Sequence, residues 1–340
     1  MNEEISIGGV PVGPSHSPFV IAEIGINHNG SVALAKSLIE MAHRCGCHAV
    51  KFQKRTVPVI YTPEELAKSR PVPRFIIEDA LKRGVLPKES VKRLKDSNLE
   101  NTTNGDLKWL LEFTKDEYEE IDSYCKSLGI IWFASCWDEE SVDFIGRFNQ
   151  PCYKIASPCL TDDNLLTHTA KRGRPVILST GMSTLPMVLH AVSVLERGGC
   201  QDIALMHCVS VYQSDTSEMM LQRINLRAIQ TLQKAFSYPV GFSSHHNGIV
   251  PTHSAVALGA NLVEHHITDN NARFGSDQAF SLVEKGLTEL CRWIREFPPT
   301  LGSGEIDIDP DEESAMKKLR RVWSSDQQKI YTAGKRAQHE

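Results

Sequence analysis

The stretch VIAEIGINHNGSVALAKSLIEMAHRCGCHAVKFQ, residues 20–53, reads as strand, turn, helix, strand. VIAEIG (20–25) and AVKFQ (49–53) are short apolar runs that each carry a polar group near the end. Between them, INHNGS (26–31) has turn composition. LAKSLIEMAHRCG (34–46) then sets Leu34, Leu38, Ile39, Met41 and Ala42 on one helical face and stops at glycine. Two such strands around one helix form a βαβ unit with a right-handed crossover. Six more runs repeat the theme: IIWFAS (130–135), CYKIAS (152–157), PVILSTGM (175–182), IALMHC (203–208), PVGFSSHH (239–246) and LVEHHI (262–267). Helical patterns lie between and after them, at 115–129, 138–147, 162–172, 183–198, 222–236, 249–259 and 283–296. Continuous apolar runs separated by helices indicate parallel strands buried on both faces, and eight of them indicate a (β/α)8 TIM barrel.

Such a barrel carries its chemistry at the C-terminal ends of its strands. The groups expected there are Glu23, Lys51, Gln53, Ser135, Lys154, Ser157, Ser179, His207, His245, Glu264 and His266. So many polar and ionisable groups in one barrel mouth point to an enzyme acting on a small, anionic, polyhydroxylated substrate.

Composition narrows the setting. A net charge of −5 and a pI near 6.2 argue against a nucleic-acid-binding surface. No apolar stretch approaches a membrane span, and the N-terminus MNEEISIGG has no hydrophobic signal core. The nine scattered cysteines, several in core strands, read as reduced thiols of a cytoplasmic protein.

The alternation breaks at residues 54–113. PEELAKSR and ESVKRLKDS look like short polar helices and NLENTTNGD (98–106) like a loop, so the segment is expected to be an insertion over the barrel mouth. The barrel domain is placed at 1–296. Residues 297–340, with an acidic DIDPDEES run and a basic KKLRR run, are expected to be a tail and not a second domain.

Two chemical readings attach to these residues. His245 and His266 end neighbouring strands and would share a divalent metal with open positions for water and substrate, or else are simply satisfied polar histidines. Lys51 and Lys154 point inward, where a lysine is destabilising unless paired or deprotonated. They would form a Schiff base, bind a phosphate or carboxylate as point charges, or belong to a buried ion-pair network. Ser135, Ser157 and Ser179 as nearby donors favour anion binding. Glu23 and Glu264, on adjacent strands, would act as base and acid on hydroxyls.

IAEIGINHNGS (21–31), AVKFQK (49–54), YKIAS (153–157), PVILSTGMSTL (175–185), MHCVSVY (206–212), NLRAIQTL (225–232), PVGFSSH (239–245), AVALGANLVEHHIT (255–268) and GSDQAFSL (275–282) together resemble the sialic acid synthase family over roughly residues 18–290. That resemblance implies condensation of phosphoenolpyruvate with an aldose such as N-acetylmannosamine, giving a nine-carbon 2-keto acid and phosphate. It implies that Lys51, Ser135, Lys154, Ser157, Ser179, Ser210 and Ser243 cradle phosphoenolpyruvate. His245 and His266 would hold Mn²⁺ or a similar metal, and Glu23 would manage protons. Gln53, Tyr212, Glu264 and Asp277 would orient the sugar. A homodimer is the expected assembly. The sequence also departs from the family pattern: Cys159 stands in place of a glutamate, Ser244 in place of an aspartate and Gln278 in place of a histidine. The C-terminal antifreeze-like domain that in the family reaches the sugar is not expected in this tail. The acceptor half of the site is therefore expected to differ, with the 54–113 insertion as the replacement lid.

Overall fold

The computed structural model describes residues 3–211, 218–324 and 329–332. Every apolar run becomes a strand: β1 (Phe19–Gly25), β2 (Ala49–Lys54), β3 (Ile131–Cys136), β4 (Tyr153–Ile155), β5 (Val176–Ser179), β6 (Ile203–Cys208), β7 (Val240–Ser244) and β8 (Leu262–His266). They pair in chain order, all parallel, and β8 closes onto β1. Helices run between them, so the architecture is the (β/α)8 barrel. Every residue of β1, β6, β7 and β8 is buried, as expected for strands covered on one face by helices and on the other by the barrel interior.

Local signals set the helix ends. Ser31 Oγ accepts from Leu34 N–H at the start of Val32–Cys45, and Gly46, at φ 87°, closes that helix onto the carbonyls of Ala42 and His43. Thr114 and Glu117 form a capping box for Lys115–Leu128.

Two further pieces belong to the barrel unit. An antiparallel hairpin, Ile5–Ile7 with Val10–Val12, sends Ile5, Ile7 and Val12 into one apolar cluster with Phe19, Ala49 and Leu262. Those three are the first residues of β1, β2 and β8, so the hairpin plugs the end of the barrel opposite the site. The insertion is more helical than its sequence pattern suggests. It holds five helices: Val57–Ile60, Pro63–Ala67, Arg74–Arg83, Lys88–Asp96 and Asn104–Leu110. They bury Val72, Ile76, Ile77, Leu94, Leu107 and Leu110 in a cluster of their own, against which Ile26 and Phe274 pack. The last helix begins inside the stretch expected as a loop, because Thr103 and Asp106 form a capping box that Arg93 closes with an ion pair to Asp106.

The chain divides into two compact units, Met1–Glu296 and Phe297–Glu340. The second contains a helix, Glu313–Leu319, and an antiparallel hairpin of Arg321–Ser324 with Lys329–Thr332.

Candidate active site

Strand register brings the expected residues together. Glu23 on β1 lies level with Lys51 on β2 and with His266 on β8. Gln53 is level with Ser135, Ser135 with Lys154, and Ser243 with Glu264. All of these line one cavity of about 450 Å³ at the C-terminal mouth, together with Ser157, Ser179, Ser210, His245 and Asp277. Tyr212 lies outside the described residues.

The cavity floor is a buried charge network. Lys51 Nζ is 3.2 Å from Glu23 and 3.4 Å from Glu264, and it donates to Ser135 Oγ at 2.9 Å. Lys154 Nζ pairs with Glu264 at 3.1 Å. Ser243 Oγ donates to Glu264 at 3.0 Å, and Gln53 Nε2 donates to Glu23 at 2.9 Å. Two cations thus face two carboxylates, which is what allows four ionisable groups to be buried together. The ion-pair reading and the binding reading of these lysines describe one set of atoms.

The two carboxylates are tuned apart. Burial would raise Glu264, but Lys154 and Lys51 outweigh it and hold its carboxyl well below the usual range. Burial also dominates at Glu23, reinforced by the charge of Glu264 and opposed by Lys51, and leaves its carboxyl pushed up to about 7. A proton can therefore come and go on Glu23 near neutrality, while Glu264 stays a counter-ion. Burial opposes the charge on both lysines. Glu23 and Glu264 more than offset it at Lys51, whose pKa is raised, while that of Lys154 is lowered.

Backbone geometry leaves room for this. The ladder between β1 and β2 shifts between Glu23 and Gly25, and Gly25 sits at φ 54°. A Cβ there would stand 2.9 Å from Glu23 Oε1. After β5, a Cβ on Gly181 would lie 2.5 Å from Ser210 Oγ and 2.7 Å from Ser157 Oγ. Gly181 N–H donates to Ser157 Oγ at 3.0 Å. Ser210 Oγ is buried without a hydrogen-bond partner among the described residues. Hydroxyls and a backbone amide thus crowd one edge of the cavity.

His245 and His266 stand with ring centroids 5.4 Å apart. His245 Nδ1 lies 3.2 Å from the Val209 carbonyl and 3.6 Å from Cys208 Sγ, so a proton on Nδ1 would leave Nε2 as the ligating nitrogen. His266 Nδ1 is buried with no hydrogen-bond partner among the described residues, and Asp277 Oδ2 is 3.8 Å away. Burial, then the nearby His245 and Lys51, hold His266 neutral, the form that ligates. Among the described residues no three His, Cys, Asp or Glu side chains converge as a ready-made metal site. The orphaned imidazole nitrogen beside a second imidazole nevertheless fits a divalent cation whose remaining positions go to water or substrate. His207, expected among the groups at the mouth, does not line this cavity; its Nε2 donates to the Ile224 carbonyl at 2.8 Å.

Among the wall residues not singled out in the sequence are Arg55, Tyr61, Lys108 and Trp137. A signal for two of them was present. Arg55 continues Lys51 and Gln53 at alternate positions, and Trp137 continues Ser135, so each shares its neighbour's face. Of the departures from the family pattern, Gln278 accepts from Thr268 Oγ1 and donates to the Asn27 carbonyl, so it ties the β8 loop to the β1 loop.

The sequence profile described as the NeuB family matches residues 38–306. The chain belongs to the NeuB family. It is 35% identical to human N-acetylneuraminate-9-phosphate synthase over 91% of this chain and 78% of that one. It is 32% identical to the N,N'-diacetyllegionaminic acid synthase of Legionella pneumophila, over 94% and 84% respectively. Its fold matches the solved N-acetylneuraminic acid synthetase of Leptospira borgpetersenii, in complex with citrate, at a TM-score of 0.70 and 27% identity, covering 92% of this chain and 95% of that one. This NeuB-family chain is an enzyme, a carbon–carbon bond-forming transferase of the synthase type. Among the described residues no helix is long and apolar enough to cross a membrane.

Proposed function

We propose that this enzyme joins phosphoenolpyruvate to the aldehyde of an amino sugar, forming a 2-keto-3-deoxy sugar acid and releasing phosphate. The observation that carries the reading is the cavity floor, where Lys51 and Lys154 stand among Ser135, Ser157, Ser179, Ser210 and Ser243. Point charges surrounded by hydroxyl donors suit a small molecule bearing both a carboxylate and a phosphate. The names of the human and Legionella relatives, synthases of nonulosonate-type acids, support the same product class.

In the reaction, C3 of the enol bonds to the aldehyde carbon, whose oxygen takes up a proton and becomes a hydroxyl. Water adds at C2 and gives up both its protons, one balancing the proton gained by the new hydroxyl and one going to the departing phosphate, as the bond from C2 to the phosphate oxygen breaks to give the ketone. Glu23, with a carboxyl near neutrality, is the group that takes or gives the proton. Lys51 and Lys154 hold negative charge as it gathers on the departing phosphate. Glu264 keeps both lysines charged and in place. Asp277, and Gln53 beside Glu23, orient sugar hydroxyls. His245 and His266 would hold Mn²⁺ or another divalent cation, which when bound supplies Lewis-acid polarisation of a carbonyl.

The test is phosphate release from phosphoenolpyruvate with Mn²⁺ across N-acetylmannosamine, its 6-phosphate and diacetamido-trideoxyhexoses. Sugar-dependent release is expected, lost on chelation and lowered on the order of 10³-fold in His245→Ala. Absence of both turnover and phosphoenolpyruvate binding would overturn the proposal.

A further inference from the structure

The cavity wall contributed by the insertion and the strand ends next to it has a different charge balance from the floor. Glu112 is shared by Lys54, at 3.0 Å, and Arg55, at 3.0 Å, so one carboxylate serves two cations. Lys108, on the helix Asn104–Leu110, makes no ion pair among the described residues, and its ammonium lies 5.0 Å from the centre of the Tyr61 ring. Arg55 is only 5% exposed, yet its Nη2 is buried without a hydrogen-bond acceptor among the described residues. The indole N–H of Trp137 is in the same condition, and the Arg55 guanidinium lies 5.7 Å from the Trp137 ring centre.

One wall of the cavity thus offers three donor groups, two of them cationic; Glu112 and Tyr61 meet Arg55 only in part, and Asp277 offsets only part of the charge on Lys108. A buried cation with an unmet donor is costly, and a bound anion that supplies the acceptors removes that cost. Electrostatics agree with the geometry. Burial first, then repulsion from Arg55 and Arg70, pulls the Lys108 ammonium down to about 8, with Asp277 and Glu65 offsetting only part.

We infer that Arg55, Lys108 and Trp137 form a second anion subsite, one that takes a phosphoryl group on the acceptor sugar at the end remote from its aldehyde. The inference rests on the proposed condensation and names its substrate class. The guanidinium presents a fork to phosphate oxygens, the ammonium adds a point charge, and the indole adds a neutral donor. The Lys51 and Lys154 floor remains for phosphoenolpyruvate, so the two phosphates of the reacting pair occupy separate cationic patches.

The experiment compares kcat/KM for N-acetylmannosamine 6-phosphate and for N-acetylmannosamine, with phosphoenolpyruvate, in the full chain and in Lys108→Gln and Lys108→Arg. The phosphorylated sugar should be preferred by about tenfold or more, as expected for a charge-assisted contact. Lys108→Gln should cut that ratio about tenfold, and Lys108→Arg should restore most of it, at an unchanged thermal midpoint. A ratio unmoved by Lys108→Gln, or a wild-type preference for the neutral sugar, would overturn the inference. A rise in the KM for phosphoenolpyruvate that accounts for the whole loss would also overturn it, by assigning these cations to the other substrate. If neither sugar supports turnover, the condensation reading fails. Calorimetric titration with the same two sugars then judges the subsite alone. Tighter binding of the phosphorylated sugar that weakens in Lys108→Gln upholds it, and equal binding rejects it.

Discussion

The floor and the wall of one cavity are built on opposite principles. On the floor, Lys51 and Lys154 meet Glu23 and Glu264, every charge has a partner, and the groups sit on strands whose register leaves them no freedom. On the wall, Arg55 shares its carboxylate with Lys54, Lys108 has no ion-pair partner among the described residues, and much of the framework is a set of short helices with its own small core. A balanced floor is stable without ligand and admits an anion only by rearranging its own pairs. An unbalanced wall stores its preference in an unmet charge. The floor therefore sets whether the chemistry happens, and the wall sets with which acceptor.

The largest expected effect tests the balance of the floor. Glu264→Gln leaves Lys51 and Lys154 with Glu23 as their remaining carboxylate, and breaking a buried pair in this way costs about 3–5 kcal/mol. Urea unfolding of the variant would measure it. A loss below about 1 kcal/mol, the size of an exposed pair, would erase the contrast drawn between floor and wall.

Next in size is a pH effect carried by Glu23. An unfolded chain titrates this carboxyl near 4.5, and the folded one near 7. Between those values the folded state keeps a proton that the unfolded chain has lost. Glu23 therefore lowers stability progressively as pH rises from 4.5 to 7, and its full cost is in place above 7. Bound anions favour the protonated form, so phosphoenolpyruvate should bind more weakly above pH 7, by up to about tenfold per pH unit for one linked proton. Fluorescence or calorimetric titration from pH 6 to 9 would show this limb, and Glu23→Gln should flatten it. A limb that survives in Glu23→Gln would move the linked proton to another group.

The same contrast explains what the sequence reveals. Eight apolar runs with polar ends carry the barrel and, through strand alternation, the floor: burial on both faces leaves a two-residue period that fixes which side chains point inward. Glu23, Lys51, Ser135, Lys154, Glu264 and both histidines were legible for that reason, whereas Ser243 entered only through the family resemblance. The wall was not. The helix Arg74–Arg83 buries only Ile76, Ile77 and Ala80, and Asn104–Leu110 looks like a loop until Thr103, Asp106 and Arg93 are seen to close its first turn. Its polar residues face a core that no repeating pattern announces, so Lys108 reads as an ordinary surface lysine. Arg55 and Trp137 were within reach, since each is a two-residue step beyond a residue already assigned to the mouth.

That first turn offers the finest test of whether floor and wall act separately. Deleting residues 85–104 would strip Leu86 and Leu94 from the insertion's core, so a point change is cleaner. Thr103→Ala removes the hydroxyl that accepts from Asp106 N–H at 3.3 Å and frays the start of the helix bearing Lys108. Loss of such a cap costs about 1 kcal/mol. The expected outcome is a small drop in the thermal midpoint and a rise in KM for the sugar of about two- to fivefold, with the affinity for phosphoenolpyruvate unchanged, because about 1 kcal/mol spread over a local equilibrium corresponds to that range. Steady-state kinetics with each substrate varied would check it. Matched losses for both substrates would mean that the insertion and the barrel floor rise and fall as one cooperative unit, and that the wall's unmet charge is held by the floor after all.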